Sequence, residues 1–234
     1  MLSACNVNAT AAPLTLTAPP SATIGISLTE TFTPPPSDTP LPTAPATASP
    51  IPTVPSLTAI VTADLLSCRY GPGSEYLYLY ALRRNARIKL VGQTGGNNWV
   101  WVEGQTNCWV NAKFIEISGD LRTLPIVYPT PATLPVSPYY PATHVLRSIR
   151  EGTQITVTWI DIPLRAGDEE DDSMLHYIIE VWRCEAGQII FDPLATNETT
   201  ISFSDEPGCA AKSHGRIFVQ EKHGFAGPTE IPWP

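Results

Sequence analysis

The sequence predicts an all-β protein, in which two small globular segments follow a long disordered segment rich in proline and threonine. Two observations lead to this prediction. Proline accounts for 25 of the 234 residues and only 15% of the residues are charged, and the prolines crowd into two stretches of the chain. Outside those stretches, short runs of β-branched and aromatic residues alternate with turn signals, which is typical of antiparallel strands.

The first proline-rich stretch, residues 6–58, is predicted to be a disordered tether. Glu30 and Asp38 are its only charged residues, and it has few large apolar side chains to bury. Such a stretch cannot offset the conformational entropy that ordering costs. In an extended form of roughly 3 Å per residue it would reach on the order of 150 Å. A shorter proline-rich linker is predicted at residues 120–140, between globular segments at 59–119 and 141–234.

The first globular segment is predicted to be a small barrel of five or so short strands. The clearest strand candidates are Arg87–Gly92, Trp99–Glu103 and Cys108–Val110. Because side chains alternate between the two faces of a strand, Val100 and Val102 share one face while Trp99 and Trp101 share the other.

Three ordered motifs in this segment resemble those of the bacterial SH3-like domain. They are Leu66–Gly73 (LSCRYGPG), Asn97–Val102 (NNWVWV) and Cys108–Val110 (CWV). The resemblance covers roughly residues 58–118. It implies a small barrel that engages peptidoglycan, its stem peptides or a protein ligand.

The segment departs from that family at two places that both become cysteine. Cys68 stands where the family usually has valine, and Cys108 where it usually has glycine. The joint change implies that the two are bonded, which would close a loop of about 40 residues and stabilise the fold by about 4 kcal/mol. A barrel of this size is marginal without such a cross-link. The alternative, a redox or metal-binding role, would call for a Cys-x-x-Cys motif, which is absent. At a third departure, Asn85 replaces a turn glycine and tolerates the left-handed conformation.

The second globular segment is predicted to be a sandwich of antiparallel strands. Its strand candidates are Gln154–Trp159, Tyr177–Cys184, Thr199–Phe203, Arg216–Glu221 and Thr229–Trp233. The segment resembles a fibronectin type III domain through Trp159, Tyr177–Ile179 and Gly224–Pro228, although the tyrosine usual in the sixth strand is absent. Cys184 and Cys209 are not a hallmark of that family. We expect them to pair, which would contribute roughly 3.5 kcal/mol.

With the other four cysteines paired, Cys5 is left without a partner. Residues Leu2-Ser3-Ala4-Cys5 resemble the lipobox of bacterial lipoproteins, in which the cysteine carries a diacylglycerol thioether. The resemblance implies that Cys5 is lipidated and anchors the protein to a membrane. Only four residues precede Cys5, too few for a signal peptide, so we expect that the start is assigned too late or that the chain has been shortened. The alternative is a chance match at a disordered end.

No catalytic set is recognisable, so we expect a protein that is not an enzyme and that uses no cofactor and no metal. The four histidines fall in no metalloprotease motif, and the chain has no phosphate-binding loop and no nucleophile elbow. The acidic run at 168–172 lacks the glycine and the bidentate glutamate of a calcium loop, and we expect a solvated loop there. The net charge of −8 argues against a nucleic-acid partner. The first segment also contains a basic cluster, made of Arg83, Arg84, Arg87 and Lys89. This cluster is either a binding site for anionic wall polymers or simply part of an exposed hairpin.

A ligand-binding surface is predicted among the aromatic residues of the first segment. If Val100 and Val102 face inward, Trp99 and Trp101 lie on the outer face. We expect a neighbouring loop to cover Trp99, so that Trp101 forms a platform with Tyr76 or Tyr78 for a sugar ring or a peptide. The alternative is that these rings pack against the tether or the second domain.

These features predict a non-enzymatic, surface-anchored envelope protein whose barrel binds cell-wall glycan, a wall peptide or an extracellular protein. Expected disulfides place it in an oxidising, extracytoplasmic compartment. The alternative is an accessory or scaffolding subunit of a separate extracellular hydrolase or complex, with no glycan affinity of its own. A third possibility, an enzyme with an unfamiliar site, would reveal itself by turnover of wall material.

Overall fold

Antiparallel strands dominate the part of the chain that the structure, a computed structural model, describes, which is residues 52–234. The first seven strands are β1 (Leu57–Val61), β2 (Leu65–Arg69), β3 (Tyr78–Arg83), β4 (Arg87–Gln93), β5 (Trp99–Glu103), β6 (Cys108–Asn111) and β7 (Ile115–Ser118). The next seven are β8 (Val145–Glu151), β9 (Gln154–Trp159), β10 (Tyr177–Glu185), β11 (Gln188–Thr196), β12 (Thr200–Ser204), β13 (His214–Glu221) and β14 (Gly224–Glu230). One-turn 3-10 helices lie at Ala112–Phe114, Leu121–Thr123 and Pro131–Thr133. The predicted all-β class is confirmed.

Two predictions fall wholly or mostly outside the described residues. Cys5, the predicted lipidation site, and residues 6–51 of the predicted tether are not part of residues 52–234. The predicted boundary at residue 59 is two residues late, because β1 already begins at Leu57. Within the described residues, no helix has the length and apolar character of a membrane span.

The first seven strands form one curled antiparallel sheet, called the barrel here, in the order β3-β2-β6-β5-β4-β1-β7. The predicted alternation is confirmed on β5, where Val100 and Val102 are 1% and 3% exposed and face the core. Trp99 and Trp101 lie on the opposite, outer face. The core also takes in both halves of a disulfide between Cys68 and Cys108, the barrel disulfide, whose Cα atoms are 5.4 Å apart.

The last seven strands form a fibronectin type III-like sandwich. One sheet has the order β11-β10-β13-β14 and the other β12-β9-β8, and all their pairings are antiparallel. Trp159 is 1% exposed and packs edge-on against Tyr177 between the two sheets. A second disulfide, Cys184–Cys209, is called the sandwich disulfide; it ties β10 to the loop after β12. The prediction of a last strand at Thr229–Trp233 is wrong in position, because β14 begins at Gly224 and ends at Glu230.

The linker between barrel and sandwich is held at both ends by backbone hydrogen bonds. The Val127 N–H donates to the carbonyl oxygen of Gln93, at the end of β4, over 2.8 Å. Ten residues on, the Ser137 N–H donates to the carbonyl oxygen of Phe225 in the edge strand β14 over 3.0 Å. The linker thus forms one parallel bridge with the end of β4, at Gln93 and Ile126, and one with the edge strand β14, at Phe225 and Val136. Barrel and sandwich belong to one compact unit.

Candidate binding groove on the barrel

An apolar groove of about 230 Å³ lies on the outer surface of the barrel. Its principal lining side chains are Leu65, Ser67, Arg69, Trp99, Asn111 and Phe114. Leu65 and Phe114 are 67% and 47% exposed. Clustered exposed apolar side chains mark interaction sites more often than isolated ones do. We call this feature the barrel groove.

Strand β2 supplies one wall of the barrel groove because of its alternating pattern. Leu66 and Cys68 point into the core, so Leu65, Ser67 and Arg69 share the outer face. An apolar residue at an outward position of a strand is unusual where that face meets only water. Leu65 together with the exposed Phe114 makes this face a candidate contact surface.

The opposite wall depends on the end of β6 and the 3-10 helix after it. Trp99 is paired with Asn111 across β5 and β6. The Asn111 side chain caps the helix by accepting a hydrogen bond from the Lys113 N–H over 3.0 Å. The Phe114 carbonyl oxygen accepts a hydrogen bond from the Thr62 N–H over 3.0 Å, which fixes the helix against the end of β1. These contacts hold Phe114 and Trp99 on the same groove.

The barrel disulfide joins the two walls. Strands β2 and β6 are paired through a single register position, Arg69 opposite Trp109. The disulfide adds a covalent link between the same two strands, and both of its cysteines are 0% exposed. The width of the groove is therefore set by a buried cross-link as well as by a short ladder.

Arg69 is the cationic side chain among the groove-lining residues. One of its guanidinium nitrogens, Nη1, donates to the carbonyl oxygen of Tyr76, in the loop that connects β2 to β3. Burial raises the pKa of the nearby Glu75 carboxyl, and the positive charge of Arg69 offsets only part of this rise. A guanidinium has five N–H donors, so a ligand carboxylate is a suitable further partner.

Of the two tyrosines predicted for the platform, Tyr76 is buried and only Tyr78 is exposed. Tyr76 is 0% exposed, and its hydroxyl donates to Oε1 of Glu180 in the sandwich over 2.8 Å. The prediction of Tyr76 as a surface residue is corrected, because this side chain fills the contact between the two domains. Tyr78 is 44% exposed on β3, and its N–H donates to the Glu170 carboxylate at 3.1 and 3.2 Å.

Trp99 and Trp101 are both half-buried, and their surroundings differ from those expected. Trp101, expected to be open, packs on Trp109 at 4.9 Å between ring centroids. Residues Val127 to Pro129 of the linker close over this pair and leave a hollow of only about 90 Å³. Trp99, expected to be covered, lines the barrel groove. Trp101 is thus covered by the linker, and not by the tether or the second domain as the alternative had it.

The acidic run at 168–172 lies in the loop between β9 and β10 and is mostly exposed, as predicted, with Asp168 half-buried. Glu170 accepts the Tyr78 N–H, as described above, and the Asp168 carboxylate accepts the hydroxyl of Tyr140, which lowers the pKa of Asp168. The run therefore helps to dock the sandwich on the barrel. Among residues 52–234, no three histidine, cysteine, aspartate or glutamate side chains are placed to hold a metal ion.

Sequence reasoning missed Leu65, Arg69 and Phe114 as groove residues. One signal was available: Leu65 lies one position from Leu66, so one of the two had to face outward on a strand. The contribution of Phe114 had no comparable signal. It depends on a one-turn helix whose register follows from the Asn111 cap.

No protein-family model matches the chain, and no curated protein has a matching sequence. Among solved structures, the chain is similar to the crystal structure of the chicken CNTN1 FN1–FN3 domains, with 11% identity over 76% of this chain and a TM-score of 0.26. The chain spans 55% of the length of that structure. Because a TM-score of 0.26 is below the level that indicates a shared overall fold, the assignment of the sandwich depends on its own strand order.

Proposed function

We propose that the protein is a non-enzymatic envelope protein, held at the cell surface by a lipid on Cys5, whose barrel is a bacterial SH3-like domain that binds peptides of the cell wall. The observation that carries this proposal is the barrel groove. It sets the exposed side chains of Leu65 and Phe114 and the half-buried ring of Trp99 around one cation, Arg69. Apolar surface with a few placed polar groups is the usual composition of a binding site.

The chemistry of the groove favours a peptide over a glycan. An aromatic face suits a sugar ring and an apolar side chain about equally well. A guanidinium, in contrast, selects carboxylates through paired hydrogen bonds. Stem peptides of peptidoglycan present free carboxylates, whereas the glycan strand is mostly neutral. Arg69 therefore supports the stem peptide as the ligand class.

An oxidising, extracytoplasmic environment is consistent with this function. Disulfides persist in such compartments and are rare where glutathione keeps thiols reduced. The barrel disulfide joins the two groove walls, so the compartment that keeps it oxidised also keeps the groove in shape. The lipid anchor is supported by the sequence around Cys5, and the acyl mass on that residue in protein isolated from native membranes tests it.

Retention on purified wall sacculi tests the binding function. We expect the wild-type chain to be retained, and Trp99→Ala and Phe114→Ala each to weaken retention by about tenfold or more, as loss of a central aromatic contact usually does. Tyr139→Ala is the matched control, because Tyr139 is an exposed aromatic residue, 62% exposed, outside the groove. Flow-through of the wild-type chain would contradict the proposal.

Enzymatic removal of the stem peptides from the sacculi identifies the ligand. Loss of retention on the bare glycan would support the peptide, and full retention would assign binding to the glycan instead. Flow-through on both materials would favour the alternative function, an accessory or scaffolding subunit of an extracellular hydrolase or complex. Release of soluble wall fragments by the purified chain would contradict the absence of enzymatic activity.

A further inference from the structure

The loop of residues 70–77, which connects β2 to β3, belongs to two sites at once. Ser74 of this loop lines the barrel groove, next to Arg69 at the end of β2. Tyr76 and Leu77, at the other end of the loop, are 0% and 2% exposed and pack into the sandwich. There they contact a cluster that includes Ile178, Phe218 and Phe225, all from the four-stranded sheet of the sandwich or its edge. A groove wall is thus carried by a segment that the other domain holds.

Gln220 of β13 fixes the backbone of this loop. Its side chain is 0% exposed. Its Oε1 accepts the Leu77 N–H over 3.2 Å, and its Nε2 donates to the carbonyl oxygen of Glu75 over 2.9 Å. The same Nε2 donates to the carbonyl oxygen of Leu175 within the sandwich over 2.8 Å. One side-chain amide therefore ties two residues of the loop to the sandwich. Because this amide is buried, water cannot take over its hydrogen bonds when they are lost.

Glu180 of β10 fixes the side chain of Tyr76. Its carboxylate, 0% exposed, accepts the Tyr76 hydroxyl over 2.8 Å and forms an ion pair with Arg216. Arg216 also donates to the carbonyl oxygen of Pro129 in the linker over 2.8 Å. Loop, sandwich and linker therefore converge on one buried carboxylate. A buried charge that keeps all its partners restricts geometry strongly.

The anchored tyrosine in turn holds the cation of the groove. The carbonyl oxygen of Tyr76 accepts a hydrogen bond from Nη1 of Arg69. Gly71 lies against the Tyr76 ring, so closely that a Cβ added at this glycine would be 2.2 Å from ring atoms. The loop is thereby folded onto its own tyrosine, and a shift of that tyrosine moves Arg69.

From these contacts we infer that the sandwich is the positioning element of the barrel groove: Gln220 and Glu180 set the placement of Arg69 through Tyr76. They are positioning residues, since neither lines the groove. The inference rests on the proposed function for its binding readout. It explains why the sandwich is built against this loop, and it assigns to the sandwich a role in the selectivity of the groove for anionic peptides.

The test uses the full chain and a synthetic stem tetrapeptide, prepared once with free carboxyls and once with amidated carboxyls. The variant is Gln220→Ala, and the matched control is Gln188→Ala on the exposed end of β11. Tyr76→Phe is a milder second variant, because it keeps the ring and loses only the contact with Glu180. Thermal unfolding confirms that each variant is folded at the temperature of the binding measurement.

We expect the wild-type chain and Gln188→Ala to bind the free acid more tightly than the amide. In Gln220→Ala and Tyr76→Phe this preference should fall by about fivefold or more, because Arg69 is no longer held in place. General destabilisation would weaken binding of both peptides in the same proportion and leave the preference unchanged. An unchanged preference in both variants would therefore overturn the inference.

Amide hydrogen exchange separates failure of the inference from failure of the proposed function. If the wild-type chain binds neither peptide, the proposed ligand is wrong, and exchange still decides the positioning. We expect the hydrogen-bonded amides of Tyr70 and Leu77 to be protected in the wild-type chain and in Gln188→Ala, and to exchange at least tenfold faster in Gln220→Ala. Equal protection in Gln220→Ala would overturn the positioning role whatever the ligand.

Discussion

Substitution of Tyr76 by phenylalanine removes one hydrogen bond at the contact between the two domains. The Tyr76 hydroxyl and Oε1 of Glu180 are 2.8 Å apart, and both residues are 0% exposed. The phenylalanine ring keeps the packing against Phe225, whose ring centroid lies 6.2 Å away. The substitution therefore isolates the polar contribution.

The expected loss follows from the charge and burial of the acceptor. A hydrogen bond to a charged group contributes about 1.5–3 kcal/mol, against about 1 kcal/mol for a neutral pair. Arg216 still neutralises Glu180 in the variant, so the larger penalty of an unpaired buried charge does not apply. We expect the free energy of unfolding to fall by about 1.5–3 kcal/mol. For a chain of this size, that corresponds to roughly 3–12 °C in Tm.

Urea unfolding followed by circular dichroism and by tryptophan fluorescence measures this loss. Because barrel and sandwich share the contact, we expect one transition that coincides in both signals. Tyr139→Phe is the matched control: Tyr139 is 62% exposed, so its loss should stay within about 0.5 kcal/mol. An equally small effect of Tyr76→Phe would mean that the hydroxyl is solvated and the two domains are apart in solution, which would refute the reasoning.

Three further predictions concern stability within each domain. Burial would raise the pKa of Asp205, but hydrogen bonds from Ser213 and its other donors outweigh burial and lower it. The stabilising contribution of Asp205 is therefore present above about pH 4, the pKa of an aspartate in the unfolded chain, and is lost as the pH falls through the lower folded pKa. Asp205→Asn should be less stable at pH 7, and its free energy of unfolding should fall less steeply on acidification. An unchanged dependence of the free energy of unfolding on acid pH, measured by chemical denaturation, would contradict this. Gly71→Ala should destabilise by about 2–4 kcal/mol, because the new methyl group would overlap a buried ring; Gly104→Ala, whose Cβ would meet only ordinary contacts, is the control, and equal Tm values for the two would count against the packing described. Under mild reductant, the sandwich disulfide should open before the barrel disulfide, since Cys209 is partly exposed whereas both barrel cysteines are 0% exposed; alkylation and mass spectrometry give the order, and the reverse order would contradict it.

Local patterns in the sequence were sufficient to predict much of the fold. The alternation of Val100 and Val102 with two tryptophans predicts which face of β5 is buried, because the period of a strand is two. The left-handed turn at Asn85, with φ of 66°, also follows from the residue type. Gln154–Trp159 was predicted with its observed bounds. Each of these depends on residues that are close in sequence.

The position of the last strand was not predictable in the same way. The end of β14 contains Gly227 and Pro228, which signal a turn rather than a strand. Proline is tolerated there because β14 is the outer strand of its sheet, so no further strand needs the missing N–H. Only the strand order, which the sequence does not show, reveals that the outer position is available.

The candidate site was predicted in part, for a related reason. The outward face of Trp99 follows from alternation, but the neighbours of that face do not. Tyr76 was expected at the surface because its partner, Glu180, lies 104 residues further along the chain. Nothing local distinguishes an aromatic residue that binds a ligand from one that fills a domain contact. Trp101 is covered by the linker for the same reason.

The central claim is that the barrel groove at Trp99 is where an anionic wall peptide binds. The indole N–H signals of the six tryptophans in a two-dimensional NMR spectrum report on this directly, during titration with a soluble stem peptide. We predict that the Trp99 signal shifts in a saturable manner, while the signal of Trp159, buried between the sheets of the sandwich, stays in place. Saturation with an unmoved Trp99 signal, or no shift of any indole at millimolar peptide, would contradict the claim.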